Sequence, residues 1–295
     1  MKVLVYGGTG AQAEPVVYEL LRKGHTPVVF SRDITKEKPK AMADAGAILF
    51  EGDMVSEDDT LSASQGVDGV ALLVPTFAKD PIEAGKQAIK SAQAAGVDFI
   101  VWNTSGPLFP QETGDAVNDV RFHVYSALKE SKIPHVLLEP TLYAENLLGP
   151  WTVSGIKAAS KIAYPTRPSF QIGWLPQIDM AKAITSALEQ PDLAGKHLRI
   201  SGIDIVDGPQ LAHTFTIALE RDITFSPMHP REFGKLIDQF IGPGAGDGIV
   251  GIYQPIWDGE ISPQMYVGMD ETLSSLNVEF TPLVDWVKSI EFMLN

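Results

Sequence analysis

The chain has 295 residues, enough for one large domain or two smaller ones sharing a core. Its 23 Lys and Arg stand against 37 Asp and Glu, a net charge of −14, which argues against the cationic face that nucleic-acid phosphates or anionic lipids require. There is no Cys, so disulfides, zinc thiolate sites and thiol nucleophiles are excluded. No apolar run approaches the ~18 residues of a membrane span. The chain enters a strand pattern at Lys2 with no leader-like segment before it, and a cytoplasmic protein without membrane or nucleic-acid partners is expected.

The first element is the short apolar run Val3 to Tyr6, which stops at Gly7-Gly8. From Ala13 the apolar positions Ala13, Val16, Val17, Leu20 and Leu21 fall at helical spacing, with Pro15 in the first turn, where its missing N–H costs nothing. Gly24 ends that helix and "TPVVFSRD" starts a second strand. The order is strand, glycine turn, helix, strand within about thirty residues, the setting in which small residues at Gly7, Gly10 and Ala13 acquire separate tasks. Gly7 permits the tight turn, Gly10 lets the backbone approach a pyrophosphate, and Ala13 lets the helix pack closely on the strand. The turn residues Gly7, Thr9, Gly10, Ala11 and Gln12 are therefore expected to bind a dinucleotide, with its phosphates on the helix N-terminus.

The second strand ends Ser31-Arg32-Asp33. An arginine at this point suits a 2′-phosphate and a carboxylate suits ribose hydroxyls. With Ser31 adding a hydroxyl beside Arg32, NADP is the expected cofactor. A solvated Arg32 with Asp33 facing the ribose of NAD is the other reading.

Further strand-like runs follow at 47–54, 69–77, 97–106, 135–143 and 196–202, and helices are expected over Ile82–Ala95, Phe122–Lys132 and Asp179–Gln190. Nearly all-apolar strands alternating with helices predict an α/β fold with a doubly wound parallel sheet. Ligands on such sheets bind at the carboxyl ends of the strands. That rule places Asp53 and Met54 near the adenine, Pro75, Thr76 and Phe77 near the middle of the cofactor, and Asn103, Thr104 and Ser105 beyond them. After Tyr143 the pattern loosens into aromatic and proline-rich sequence. A dinucleotide domain of residues 1–143 plus about 173–203 is expected, with a smaller α/β substrate domain from about 144–172 plus 204–295. Phe77, Leu108, Phe109, Tyr143, Asn146 and Trp151 are candidates for the substrate pocket.

The segments "VLVYGGTGAQA", "FSRD", "EGDM", "VPTF", "LKESKIPHVLLEPTLYAENLL" and "QIDMAKAITSALEQPDLAGKHLRISG" together resemble the NmrA-like group of atypical short-chain dehydrogenase/reductases. The resemblance runs in order along nearly the whole chain and is weakest after about residue 240. It implies a Rossmann domain that binds NADP and a small C-terminal substrate domain. It also implies one of two roles: a reductase, quinone reductases included, or a catalytically silent redox sensor that binds a regulatory protein partner. The sequence departs from the family at Glu139, where an arginine usually precedes the proline.

Catalytic candidates are few. Tyr125 and Lys129 have the Tyr-x-x-x-Lys spacing in which a lysine one turn on lowers the phenol pKa. In the enzymes resembled, that pair begins nearly two helical turns earlier relative to Pro140, so the spacing here is read as a coincidence. The resemblance puts the family's active-site lysine at Arg121 and its tyrosine at Val117. Arg121 is then a candidate for the ribose hydroxyls or for steering an anionic substrate, but its pKa is too high for a proton donor. Ser105 and Thr104 sit where related enzymes hold a substrate-orienting hydroxyl, and each is equally suited to capping the turn. The six histidines lack ligand spacing, so no metal is expected; His123 alone lies near the rim. "GPGAGDG" (242–248) lacks the ending of a phosphate loop and is expected to be a flexible loop or a lid. The expected function is NADPH-dependent reduction of a small quinone or carbonyl acceptor, with the sensor as the alternative.

Overall fold

Val3 and Val5 face one side of the first strand, Leu4 and the following Tyr6 face the other, and all four are fully buried. A strand buried on both faces needs helices on both sides of its sheet. The computed structural model, which describes residues 1–75, 79–268 and 274–294, contains that arrangement. In chain order the elements are β1 (Lys2–Val5), α1 (Glu14–Arg22), β2 (Thr26–Ser31), α2 (Glu37–Asp44), β3 (Ile48–Glu51), α3 (Glu57–Ser64), β4 (Gly69–Leu73), α4 (Pro81–Ala95), β5 (Phe99–Asn103), α5 (Ala116–Ser131) and β6 (His135–Pro140). They continue as β7 (Leu142–Tyr143), α6 (Pro150–Ala159), β8 (Lys161–Tyr164), β9 (Ile172–Leu175), α7 (Gln177–Leu188), β10 (His197–Ile200), β11 (Ile205–Val206), α8 (Gly208–Leu219), β12 (Thr224–Pro227), α9 (Pro230–Ile241) and α10 (Ala245–Asp258).

The chain divides into two units. The first comprises Met1–Pro140, Met180–Arg199 and Glu271–Val278. Its seven-stranded sheet has the order β10-β6-β5-β4-β1-β2-β3, and the pairings of β1 with β2 and β4, β2 with β3, β4 with β5 and β5 with β6 are all parallel. This is the doubly wound Rossmann-like sheet that the alternation of strands and helices predicts. On one face Ala63, Ala88, Ile89, Val124 and Leu128 close over Leu4, Tyr6, Phe30, Leu72 and Trp102. Each large apolar side chain buried there contributes about 1.5–3 kcal/mol.

Several boundaries differ from the sequence reading. The strands are shorter than their apolar runs because each run includes the turn that leaves the sheet. The run 135–143 is two strands, β6 and β7, and Tyr143 belongs to the second unit. Helix α5 begins at Ala116, six residues before the expected Phe122. Asp115 explains the earlier start, because its Oδ1 accepts the Asn118 N–H (2.9 Å) and satisfies a donor that the helix cannot. The short segment around Leu276 packs in the first unit, where Gln190 Nε2 donates to the Leu276 carbonyl (3.3 Å).

The second unit comprises Thr141–Asp179, Ile200–Asp270 and Glu279–Asn295. It holds a three-stranded sheet, β11-β9-β7, and the two-stranded pair β12-β8. Its core gathers Tyr164, Trp174, Phe215, Tyr253 and Trp286. Tyr164 and Tyr253 share a hydrogen bond of 2.6 Å between their hydroxyls. Among the described residues no helix is long and apolar enough to cross a membrane.

Candidate dinucleotide site at the strand ends

The turn between β1 and α1 is shaped by Gly7, whose φ of +67° would strain any residue with a Cβ. Its carbonyl accepts the Gly10 N–H at 2.7 Å, and a Cβ on Gly10 would meet that carbonyl at 3.1 Å. Helix α1 then starts without a side-chain cap, with Pro15 in its first turn. The Ala11 and Gln12 N–H groups donate to no acceptor among the described residues. Ala13, only 1% exposed, lets the helix sit against the sheet. Bare amides, a tight glycine turn and the positive end of a helix together form a cradle that fits a pyrophosphate.

At the end of β2 the two candidate side chains behave differently. Asp33 Oδ1 accepts the Thr35 hydroxyl (2.6 Å) and N–H (2.9 Å), and Lys36 Nζ lies 3.6 Å from Oδ2. The Thr35 hydroxyl and amide, chiefly, hold the Asp33 carboxyl below the ordinary aspartate range. Arg32 is exposed and has no protein partner among the described residues. Ser31 Oγ accepts the Asp33 N–H (3.3 Å) and lies 3.4 Å from Thr9 Oγ1, joining this strand end to the glycine turn. At the end of β3, Asp53 Oδ1 accepts the Val55 N–H (3.2 Å), while Met54 is buried in the core. Pro75 is exposed after β4; Thr76 and Phe77 lie outside the described residues.

The end of β5 is a dense polar network. Asn103 Nδ2 (3.2 Å) and Ser105 Oγ (2.9 Å) both donate to Gln12 Oε1, and Asn103 Oδ1 accepts the Ser105 N–H at 2.9 Å. Ser105 is held at φ +56°, a conformation that a serine keeps only when its surroundings enforce it. Thr104 is buried and its hydroxyl donates to the Gly106 carbonyl (2.6 Å), so it ties the turn rather than facing a ligand.

Arg121, the candidate for the ribose hydroxyls, is bonded to its own loop. It is 8% exposed, its Nε donates to the Thr104 carbonyl (2.8 Å), and its terminal nitrogens donate to Asn118 Oδ1 (2.8 Å) and the Ser105 carbonyl (3.2 Å). These bonds direct the guanidinium onto its own backbone, where it fixes the loop after β5. Lys129 Nζ lies over the Tyr125 ring, 4.5 Å from its centroid. Tyr125 packs against the core and Trp102. His123 pairs with Glu112 at 2.8 Å, and the described residues contain no cluster able to hold a metal.

Two further anchors hold the same loop, neither of them among the expected site residues. Asp119 accepts the Thr113 N–H (2.7 Å) and the Gly114 N–H (3.1 Å). Glu139, 2% exposed, accepts the Leu108 N–H (3.1 Å), His197 Nε2 (2.9 Å) and Arg199 Nε (2.8 Å). Burial pushes the Glu139 carboxyl up, but the bonds from His197, Leu108 and Arg199 outweigh it and the net shift is downward. Its signal in the sequence was the departure from the family's arginine.

The pocket candidates fall in both units. Leu108 and Phe109 are half-buried in the first, where Leu108 packs on the core. In the second, Tyr143 is buried, Asn146 is exposed, and half-buried Trp151 lies 6.5 Å from both the Phe233 and Phe240 rings. Of residues 242–248, 242–244 form the corner between α9 and α10 and 245–248 open α10, where Asp238 Oδ1 accepts the Gly246 N–H at 2.8 Å.

Comparison with known proteins agrees with this geometry. Quinone oxidoreductase 2 of Escherichia coli is 23% identical over 243 residues, which cover 80% of each chain. The Citrobacter sp. triphenylmethane reductase, solved with NADP(H), shares the fold with a TM-score of 0.80 at 19% identity, covering 98% of this chain and 99% of that one. NmrA, a negative transcriptional regulator solved with NAD, superposes with a TM-score of 0.76 at 14% identity, covering 99% of this chain and 95% of that one. The NmrA-like family profile matches residues 1–256. On this evidence the chain belongs to the NmrA-like family of NAD(P)-binding proteins.

Proposed function

We propose that this protein is an NADPH-dependent reductase of a small quinone or carbonyl acceptor. The observation that carries the cofactor choice is the contrast at the end of β2: Arg32 is exposed and has no partner among the described residues, while the Asp33 carboxylate is tied to Thr35 and Lys36. A free guanidinium beside the Ser31 hydroxyl suits a 2′-phosphate. Gly7, Thr9, Gly10, Ala11 and Gln12 would hold the pyrophosphate, with Asp53 and Met54 toward the adenine and Pro75 nearer the middle of the cofactor. When bound, the cofactor supplies a hydride. The chain's own contribution is alignment and exclusion of water, in which the loop after β5 takes part. A quinone that accepts a hydride and one proton becomes a hydroquinone, and water can deliver that proton, so no tyrosine donor is required. The relative named quinone oxidoreductase 2 supports this acceptor class.

A second reading, an NADP(H) sensor that regulates a protein partner, is favoured by one observation. The helix position that the family resemblance assigns to a lysine carries Arg121, and its nitrogens donate to the protein. NADPH oxidation against a panel of quinones and aldehydes separates the two. Turnover with a quinone supports the reductase. Tight, redox-selective nucleotide binding without turnover supports the sensor.

A further inference from the structure

The hydrogen bonds around Gln12 fix its polarity. Asn103 Oδ1 accepts a backbone N–H, that of Ser105, so Asn103 Nδ2 must be the atom facing Gln12. A donor facing Gln12 requires the Gln12 carbonyl oxygen on that side, and Ser105 Oγ donates to the same oxygen. The Gln12 amide cannot flip without setting NH2 against NH2. Its Nε2, with two N–H donors, is therefore turned away from the network and has no partner among the described residues. Ser105 Oγ, its proton given to Gln12, keeps lone pairs able to accept.

The placement of this pair is equally determined. Strand β4 lies between β1 and β5 in the sheet, so Gln12 reaches from the turn after β1 past the end of β4 to the end of β5. A dinucleotide with its 2′-phosphate at Arg32 and its pyrophosphate on the glycine turn has its nicotinamide half on this side. Nicotinamide carries a carboxamide, one acceptor oxygen beside one NH2 donor, which complements a fixed donor beside a fixed acceptor. We propose that Gln12 and Ser105, oriented by Asn103, form the carboxamide subsite: Gln12 Nε2 donates to the carboxamide oxygen and Ser105 Oγ accepts from its nitrogen. This rests on the dinucleotide reading above and adds to it the residues that would set the ring's orientation.

The test is calorimetric binding of three probes: NADP+, its 3-acetylpyridine analogue, which keeps the carbonyl but lacks the NH2, and 2′,5′-ADP, which lacks the nicotinamide half. The unmodified protein should bind NADP+ about tenfold more tightly than the analogue. Gln12→Met should weaken both by about tenfold and leave 2′,5′-ADP unchanged. Ser105→Ala should weaken NADP+ alone, erasing its advantage over the analogue. Equal weakening of NADP+ and the analogue by Ser105→Ala would overturn the assignment in favour of the ribose hydroxyls. Loss of 2′,5′-ADP binding in either variant would show a merely structural network and overturn it too, as would unchanged NADP+ affinity in both. If the unmodified protein binds neither NADP+ nor 2′,5′-ADP, the dinucleotide reading itself falls.

Discussion

The two ends of the candidate site use their charged residues in opposite ways. After β2 the arginine is exposed and has no partner among the described residues, while the neighbouring aspartate is bound into its own turn. After β5 the arginine and two carboxylates are all bonded to the protein itself: Arg121 holds the Thr104 and Ser105 carbonyls, Asp119 holds residues 113–114, and Glu139 holds Leu108. A charge without protein partners can bind an incoming anion, whereas one saturated by backbone groups fixes a loop. The same residue type thus reads as a ligand at one end and as scaffold at the other.

The contrast breaks most readily at Arg32. Arg32→Ala should weaken NADP binding about 30-fold and NAD binding less than about threefold, measured by calorimetry. Equal losses would put Arg32 outside the 2′-phosphate site.

At the other end, Glu139→Ala should destabilise the protein by about 2 kcal/mol in urea unfolding, because it removes the buried carboxylate that joins Leu108, His197 and Arg199. The pH dependence has a definite sign. The folded carboxyl is held below its ordinary value of 4.5, so its stabilisation is complete above that pH and is lost as pH falls through the lower folded value. Glu139→Gln should flatten this acid limb of the stability profile. Glu145 gives the opposite sign: burial, outweighing the Gln177 N–H and Trp286 bonds, raises its carboxyl. Its contribution is present at low pH and falls as pH rises through the raised value, so Glu145→Gln should remove a decline on that side.

The smallest effect belongs to the coincidental pair. Tyr125→Phe and Lys129→Ala should each change stability by less than about 1 kcal/mol and leave NADPH oxidation unaltered. Abolished turnover in Tyr125→Phe would restore that pair to catalysis.

The difference between the two ends also explains what could be read in advance. The glycine turn, the strand periodicity and the Ser31-Arg32-Asp33 terminus are local, so spacing alone exposes them. The role of Arg121 depends on a carbonyl 17 residues away, and that of Glu139 on side chains 58 and 60 residues away. No periodicity encodes such bonds. The early start of α5 was hidden because Asp115 follows Gly114 and reads as loop until its capping bond is seen. The Gln12 network was half legible: position marked Gln12, Asn103 and Ser105 for one rim, but not the hydrogen bonds that join them.

The most direct test of the central claim is an amide-resolved NMR titration with NADP. Dinucleotide phosphates resting on the open amides of the first turn predict saturable shifts centred on Gly10, Ala11 and Gln12 at submillimolar nucleotide. Saturable binding that left those three signals unmoved, or no binding at all, would contradict the account.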